Sequence, residues 1–155
     1  MNNKNIKVLI DTNVAMTFLT KREDPYIKET DEIMYACASE KIIGFLAFHS
    51  LSTIWYLGRK FGEAKGREML ETVCDLLYIV GASQKEVEDA VQNKQFKDFE
   101  DCLQDKCAKE ANCDFIVTAN LKDFTVSEIP AISPDEFLKI LKDYLGSEVE
   151  DDEQT

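Results

Sequence analysis

VLIDTNVAM, residues 8–16, is the stretch on which the reading of the fold turns. Val8–Ile10 close an apolar run that begins at Ile6, and the run passes without a turn residue into a carboxylate, a hydroxyl and an amide, Asp11, Thr12 and Asn13. A short run with no polar alternation has the character of a strand covered on both faces, as in parallel sheets. Apolar residues resume at helical spacing and reach about Leu19, so the polar triplet sits at a strand-to-helix junction. An acid there is either the cap of the next helix or a ligand group at the carboxyl end of a strand, where open α/β sheets bind their ligands.

The same alternation continues along the chain. Thr30 is placed to cap a helix through about Glu40, and KIIGFLA (41–47) reads as the second strand. Helical spacing covers about Ser50 to Lys60 and about Glu63 to Asp75, with Gly62 between, and LLYIV (76–80) is the third strand. Ser83 followed by Glu86 has capping-box spacing, and a longer helix covers about Phe99 to Glu110. CDFIVTA (113–119) is the fourth strand; a short AIS segment then leads into a last helix opened by Ser133 and Pro134, with Asp135 and Glu136 in its first turn. Strands separated by helices predict an α/β fold, a three-layer α/β/α sandwich with a central parallel sheet of four to five strands and Rossmann-like topology. One domain is expected over residues 1–145. Residues 146–155, GSEVEDDEQT, hold five acids and no base and are expected to form a disordered acidic tail.

Composition narrows the chemistry. With 155 residues, 45% of them hydrophobic, the chain can bury a full single-domain core. No apolar run approaches the roughly 20 residues that span a bilayer, and the polar start MNNKNIK is not followed by a cleavable signal pattern. A soluble, cytoplasmic protein with no membrane contact is expected. The five cysteines are odd in number and never spaced C-x-x-C, which predicts reduced thiols. With His49 the single histidine, a triad or a multi-histidine metal site has little to draw on. A net charge of -12 argues against a large basic footprint for duplex nucleic acid. It is compatible with a cluster of acids that takes up a divalent cation.

Such a cluster is legible. FIVTANLKDF (115–124) places Thr118, Asn120 and Asp123 just after the fourth apolar run, repeating what DTN does after the first. Upstream, KDFEDCLQDKCAKEA (97–111) sets Asp98, Asp101 and Asp105 at spacings of three and four, one face of a helix. Crowded carboxylates repel one another unless they bind protons or a cation, and ligands that are all oxygen suit Mg or Mn. Each feature alone has an ordinary reading: Asp11 as an N-cap, Asp98 and Asp105 as solvated charges, Thr118 and Asn120 as loop formers. Their joint occurrence at two strand ends points to a site. A phosphatase of the haloacid dehalogenase type also places an aspartate after the first strand, but it wants a second one two residues on, where this chain has Asn13.

These residues resemble the PIN domain, the nuclease fold of VapC-type toxins in toxin–antitoxin pairs. The resemblance runs from VLIDTNV through SLSTIWYLGRKFG and DFEDCLQDKCAKEANCDFIVTANLKDF to the ISPDEFL helix, leaving only the acidic tail outside. It implies a metal-dependent endoribonuclease that cleaves RNA phosphodiesters with a metal-activated water. Asp11 and Asp101 would hold the Mg or Mn ion, and Asn120 and Asp123 stand where the family has its last acidic or polar ligand. Asp11, Asp101 and Asp123 would be the catalytic acids, with Asn13 and Thr118 as supporting polar residues. An RNA substrate, an antitoxin protein and a homodimer are the partners implied. The family's glutamate early in the helix after the second strand is missing: Phe48 to Arg59 contains no acid, and Thr53 stands in its place. A hydroxyl adds no negative charge, so weaker cation binding is expected, with Asp98 able to offset the loss as a further metal-site acid. A catalytically silent PIN-like module that binds RNA or protein is the alternative this departure leaves. Arg59, Lys60, Lys65 and Arg67, in the helical region after the second strand, are expected to position the RNA locally on an otherwise acidic protein.

Overall fold

Val8, Leu9 and Ile10 are all fully buried although successive side chains of a strand point to opposite faces. The sheet they belong to must therefore be covered on both sides, and it is. The computed structural model describes residues 5–153, with side chains as far as residue 147. Five strands, β1 (Lys7–Ile10), β2 (Ile43–Ala47), β3 (Tyr78–Val80), β4 (Phe115–Val117) and β5 (Ala131–Ile132), pair in the order β3-β2-β1-β4-β5, and every pair is parallel. The helices between them are α1 (Thr12–Thr20), α2 (Ile27–Ala38), α3 (Ser50–Gly58), α4 (Glu63–Leu76), α5 (Gln84–Gln92), α6 (Phe99–Glu110) and α7 (Pro134–Glu153). Short 3₁₀ turns cover Arg59–Phe61 and Leu121–Phe124. The fold is the α/β sandwich expected from the alternation.

On one face, Val8, Ile10 and Leu46 pack with side chains of α1, α2, α3, α4 and α7. On the other, Leu9, Ala47 and Ile116 pack with α5 and α6. Gly44 marks the tightest point of the first layer, because a Cβ there would lie 2.6 Å from Leu77 Cδ2 and 2.7 Å from Cys37 Sγ. All five cysteines are free thiols, and only Cys74 is exposed. Among the described residues no helix is long and apolar enough to cross a membrane.

Three local expectations are corrected. Thr30 does not cap α2: the helix starts at Ile27, and Thr30 is buried inside it. Upstream, the Tyr26 N–H donates to Asp24 Oδ1 over 2.8 Å, so an aspartate two residues before Tyr26 organises the entry. Leu76 closes α4 and the third strand begins only at Tyr78, because helix and strand share one apolar run whose periodicity is ambiguous. Finally, α7 passes through residue 146 and continues to Glu153, where a disordered end was expected. The segment has no proline to stop a helix, and poverty in apolar side chains removes packing without removing backbone hydrogen bonds. The side chains from 148 and the last two residues lie outside the described part.

The order of the strands sets the place of the site. The chain runs outward from β1 to β2 and β3, then returns to β4 on the opposite side, so the order reverses between β1 and β4. Ile10 is in register with Val117, and Asp11 and Thr118 therefore leave the sheet side by side.

Candidate functional site

Asp11 emerges from β1 at this crevice. Its backbone N–H donates to Val117 O at 3.0 Å, which extends the ladder one residue beyond the strand and fixes the side chain's direction. By the alternation of the strand, Asp11 points to the same side as Leu9, toward α6. The side chain occupies the N-cap position of α1 but makes no capping bond. Instead Gln104 Nε2 donates to Oδ1 and Thr118 Oγ1 donates to Oδ2, each over 2.8 Å, and the carboxylate is 4% exposed. The ordinary capping role is thus excluded for this residue by where its oxygens go. Thr118 is itself held, since its hydroxyl accepts the Asn120 N–H at 3.0 Å.

Helix α6 supplies the acids opposite. Asp98 is its N-cap, with Oδ1 accepting the Glu100 N–H at 2.7 Å, so one oxygen is committed to the cap. Asp101 lies in the first turn, half-buried, and its carboxyl is pushed up to about 7, first by burial and then by the negative charges of Asp98, Asp11, Asp123 and Glu100. Asp123, exposed on the 121–124 turn, reaches this group only through its charge. A cavity of about 260 Å³ joins Asp98, Asp101 and Asp123, and Lys97 and Lys122 line it as well.

Other expected residues are less central. Asn13 is exposed, and its carbonyl accepts from Arg22 Nη2 at 3.0 Å. Thr53 is half-buried on α3, one turn beyond Ser50, whose hydroxyl shares a 2.6 Å bond with that of Thr12. Asp105, expected on the acidic face, leaves the site entirely: its oxygens accept the N–H groups of Glu128 and Ile129 at 2.9 and 3.0 Å. Lys65 and Arg67 lie in ion pairs along α4 with Glu68 and Glu63, whereas Arg59 and Lys60 stand over the Tyr56 ring.

Gln104, Lys97, Lys122 and His49 were given no role from sequence. Gln104 had a signal, since it lies three residues after Asp101 and shares its helical face. His49 had none: it precedes α3 in the chain, yet lies against Glu100 of α6, and burial lowers its imidazole's pKa more than Glu100 raises it.

Whether these residues suit a hard cation can be judged from their chemistry. Among the described residues no three His, Cys, Asp or Glu side chains stand close enough to hold one ion between them. Mg²⁺, however, takes only one or two protein carboxylates and keeps several waters. The negative field at Asp101 is what such an ion relieves, and Gln104 Oε1, buried without a partner, is one further acceptor beside Asp11. The donors fit a hydrated divalent ion.

Comparison with known proteins bears on the whole chain. The family model described as PIN domain matches residues 7–122. Ribonuclease VapC1 of Aquifex aeolicus is 28% identical over 135 residues, 84% of this chain and 92% of that protein. VapBC2 from Rickettsia felis, solved bound to a DNA fragment from its promoter, superposes with a TM-score of 0.64 at 15% identity, covering 83% of this chain and 98% of that one. VapC20 of Mycobacterium tuberculosis, a toxin that cleaves the sarcin–ricin loop, superposes with a TM-score of 0.57 at 11% identity, covering 79% and 95%. The last two are likenesses of fold.

Proposed function

Because the chain belongs to the PIN domain family, we propose that it is a metal-dependent endoribonuclease, the toxin of a toxin–antitoxin pair. The observation that carries the reading is the field at Asp101, raised by Asp11, Asp98 and Asp123 from three separate segments. Asp11 and Asp101 hold a Mg or Mn ion, with Asp98 and Asp123 beside them. When bound, the ion supplies a water of lowered pKa and a positive charge for the phosphoryl oxygens. The chain's own residues do the rest. Thr118 and Gln104 orient the Asp11 carboxylate, as outer partners of metal ligands generally do. Lys97 and Lys122 bring positive charge to a phosphate entering the cavity of Asp98, Asp101 and Asp123. Arg59, Lys60, Lys65 and Arg67 position the flanking RNA.

The partners follow from the relatives: an antitoxin, as the VapBC2 assembly has in its name, and a second copy of the chain. The reaction on cellular RNA belongs in the cytoplasm. One observation favours a second reading, a silent binding module: Thr53 offers no charge where the family has glutamate. Incubation of total RNA with Mn²⁺ separates the two. Cleavage by the wild type, reduced about a hundredfold or more in Asp11→Asn and in Asp101→Asn, supports the nuclease. Intact RNA at saturating Mn²⁺ supports the silent module, and cleavage undiminished by Asp101→Asn overturns the assignment of the site.

A further inference from the structure

The start of α3 is pinned to both acid-bearing segments. Ser50 shares a 2.6 Å hydroxyl bond with Thr12, the neighbour of Asp11, and His49 lies against Glu100, the neighbour of Asp101. From that point one edge of the helix runs away from the crevice, its residues spaced by three and four: Phe48, Ser52, Tyr56, then Arg59 and Lys60. All five are exposed, Phe48 at 67% and Tyr56 at 55%, which is unusual for rings of this size. Arg59 Cζ and Lys60 Nζ stand 5.0 and 5.3 Å from the centre of the Tyr56 ring. Neither cation forms an ion pair among the described residues, whereas Lys65 and Arg67 on α4 are matched with Glu68 and Glu63. In a chain of net charge -12, two unneutralised cations and two open rings on a single helix edge invite an anion with flat apolar faces.

We infer that this edge of α3 is a track for unpaired ribonucleotides leading to or from the acid crevice, with bases stacked on Phe48 and Tyr56 and phosphates on Arg59 and Lys60. The inference rests on the ribonuclease reading for its direction, since it supplies the substrate class of that same site. Stacking on aromatic rings is open to every base and closed to paired ones, while Arg and Lys follow the backbone without reading sequence. The eight-residue separation of Phe48 and Tyr56 spans about 12 Å of helix, room for a few nucleotides. Such a track selects single strands and loops. It also explains how so acidic a protein engages a polyanion at all: contact is concentrated where the surface is locally positive.

Fluorescence anisotropy in EDTA, with a labelled ten-nucleotide single-stranded RNA and the same sequence as a duplex, tests it without cleavage. The wild type is expected to prefer the single strand. Phe48→Ala and Tyr56→Ala each weaken single-strand binding about tenfold, leave duplex binding unchanged, and are rescued by Phe48→Trp or Tyr56→Phe. Arg59→Gln with Lys60→Gln reduces the salt slope by about 1.4. Unchanged single-strand affinity in folded variants overturns the track, and so does the absence of measurable binding by the wild type. A changed oligomeric state with RNA affinity intact also overturns it, and would mark the edge as a protein interface. Cleavage is scored separately with Mn²⁺. A chain that binds through this edge and never cuts defeats the nuclease reading alone; one whose cutting depends on Asp101, with binding indifferent to both rings, defeats the track alone.

Discussion

Asp101 is buried beside three other carboxylates, and its carboxyl holds its proton up to about 7 instead of the ordinary 3.8. The folded state therefore binds this proton more tightly than the unfolded chain, so the group's contribution to stability is complete below about pH 4 and is lost as the pH rises through 7. Cation-free protein should lose melting temperature over that interval. Asp101→Asn should remove this share of the loss, melting higher than wild type at pH 7.5 and not at pH 4; parallel curves for the two proteins would contradict the crowding. At Asp11 the orienting bonds predict a different signature. Thr118→Val keeps the shape, removes the 2.8 Å bond to Oδ2, and should cost about 10–100-fold in metal affinity or activity, measured by Mn²⁺ titration of the cleavage rate. Asp11 also shows where sequence reading stops. Its position after a strand suits a helix cap equally well, and the choice is made by Gln104 and Thr118, 93 and 107 residues away. No local pattern contains that information.

Helix α6 divides its acids among three tasks. Asp98 caps it, Asp101 faces the crevice with Gln104, and Asp105 fastens the backbone of 128–129, where Lys106 and Lys109 bridge Glu86 and Glu128. The i, i+3, i+7 spacing of the three acids was readable, but spacing does not tell a site from a buried anchor. Asp105→Ala strands two backbone donors, each costing about 1–3 kcal/mol if left unpaired. It should lower the denaturation midpoint while sparing metal binding, the reverse of Asp101→Asn. Caps follow the same lesson: Ser83 does accept the Glu86 N–H at 3.2 Å, a bond within one turn and legible for that reason, whereas the start of α2 depends on Asp24 in a loop. On α3, Thr53→Glu should restore the family's missing carboxylate and reduce the Mn²⁺ needed for half-maximal cleavage, because one more negative charge near a divalent ion strengthens its binding. A destabilised fold with unchanged metal demand would show that position 53 does not face the ion.

At the scale of the molecule, five parallel strands reverse order between β1 and β4, and that reversal brings together segments that begin at residues 11, 98 and 118. The alternation of strands and helices was plain in the sequence because buried parallel strands are unbroken apolar runs. The order of the strands was not, since it is decided by packing across the whole core. The same architecture concentrates negative charge at one end of a chain already at -12, so the folded protein needs a counter-charge where it does its chemistry. Calorimetric titration of Mn²⁺ into the cation-free protein at pH 7, in two buffers of different ionisation enthalpy, measures this need. A carboxyl titrating at about 7 is half protonated there, so binding should release roughly half a proton per chain from Asp101, and Asp101→Asn should bind more weakly and release none from this group. No binding heat at millimolar Mn²⁺, or equal affinity and proton release in Asp101→Asn, would contradict a cation site built on these carboxylates.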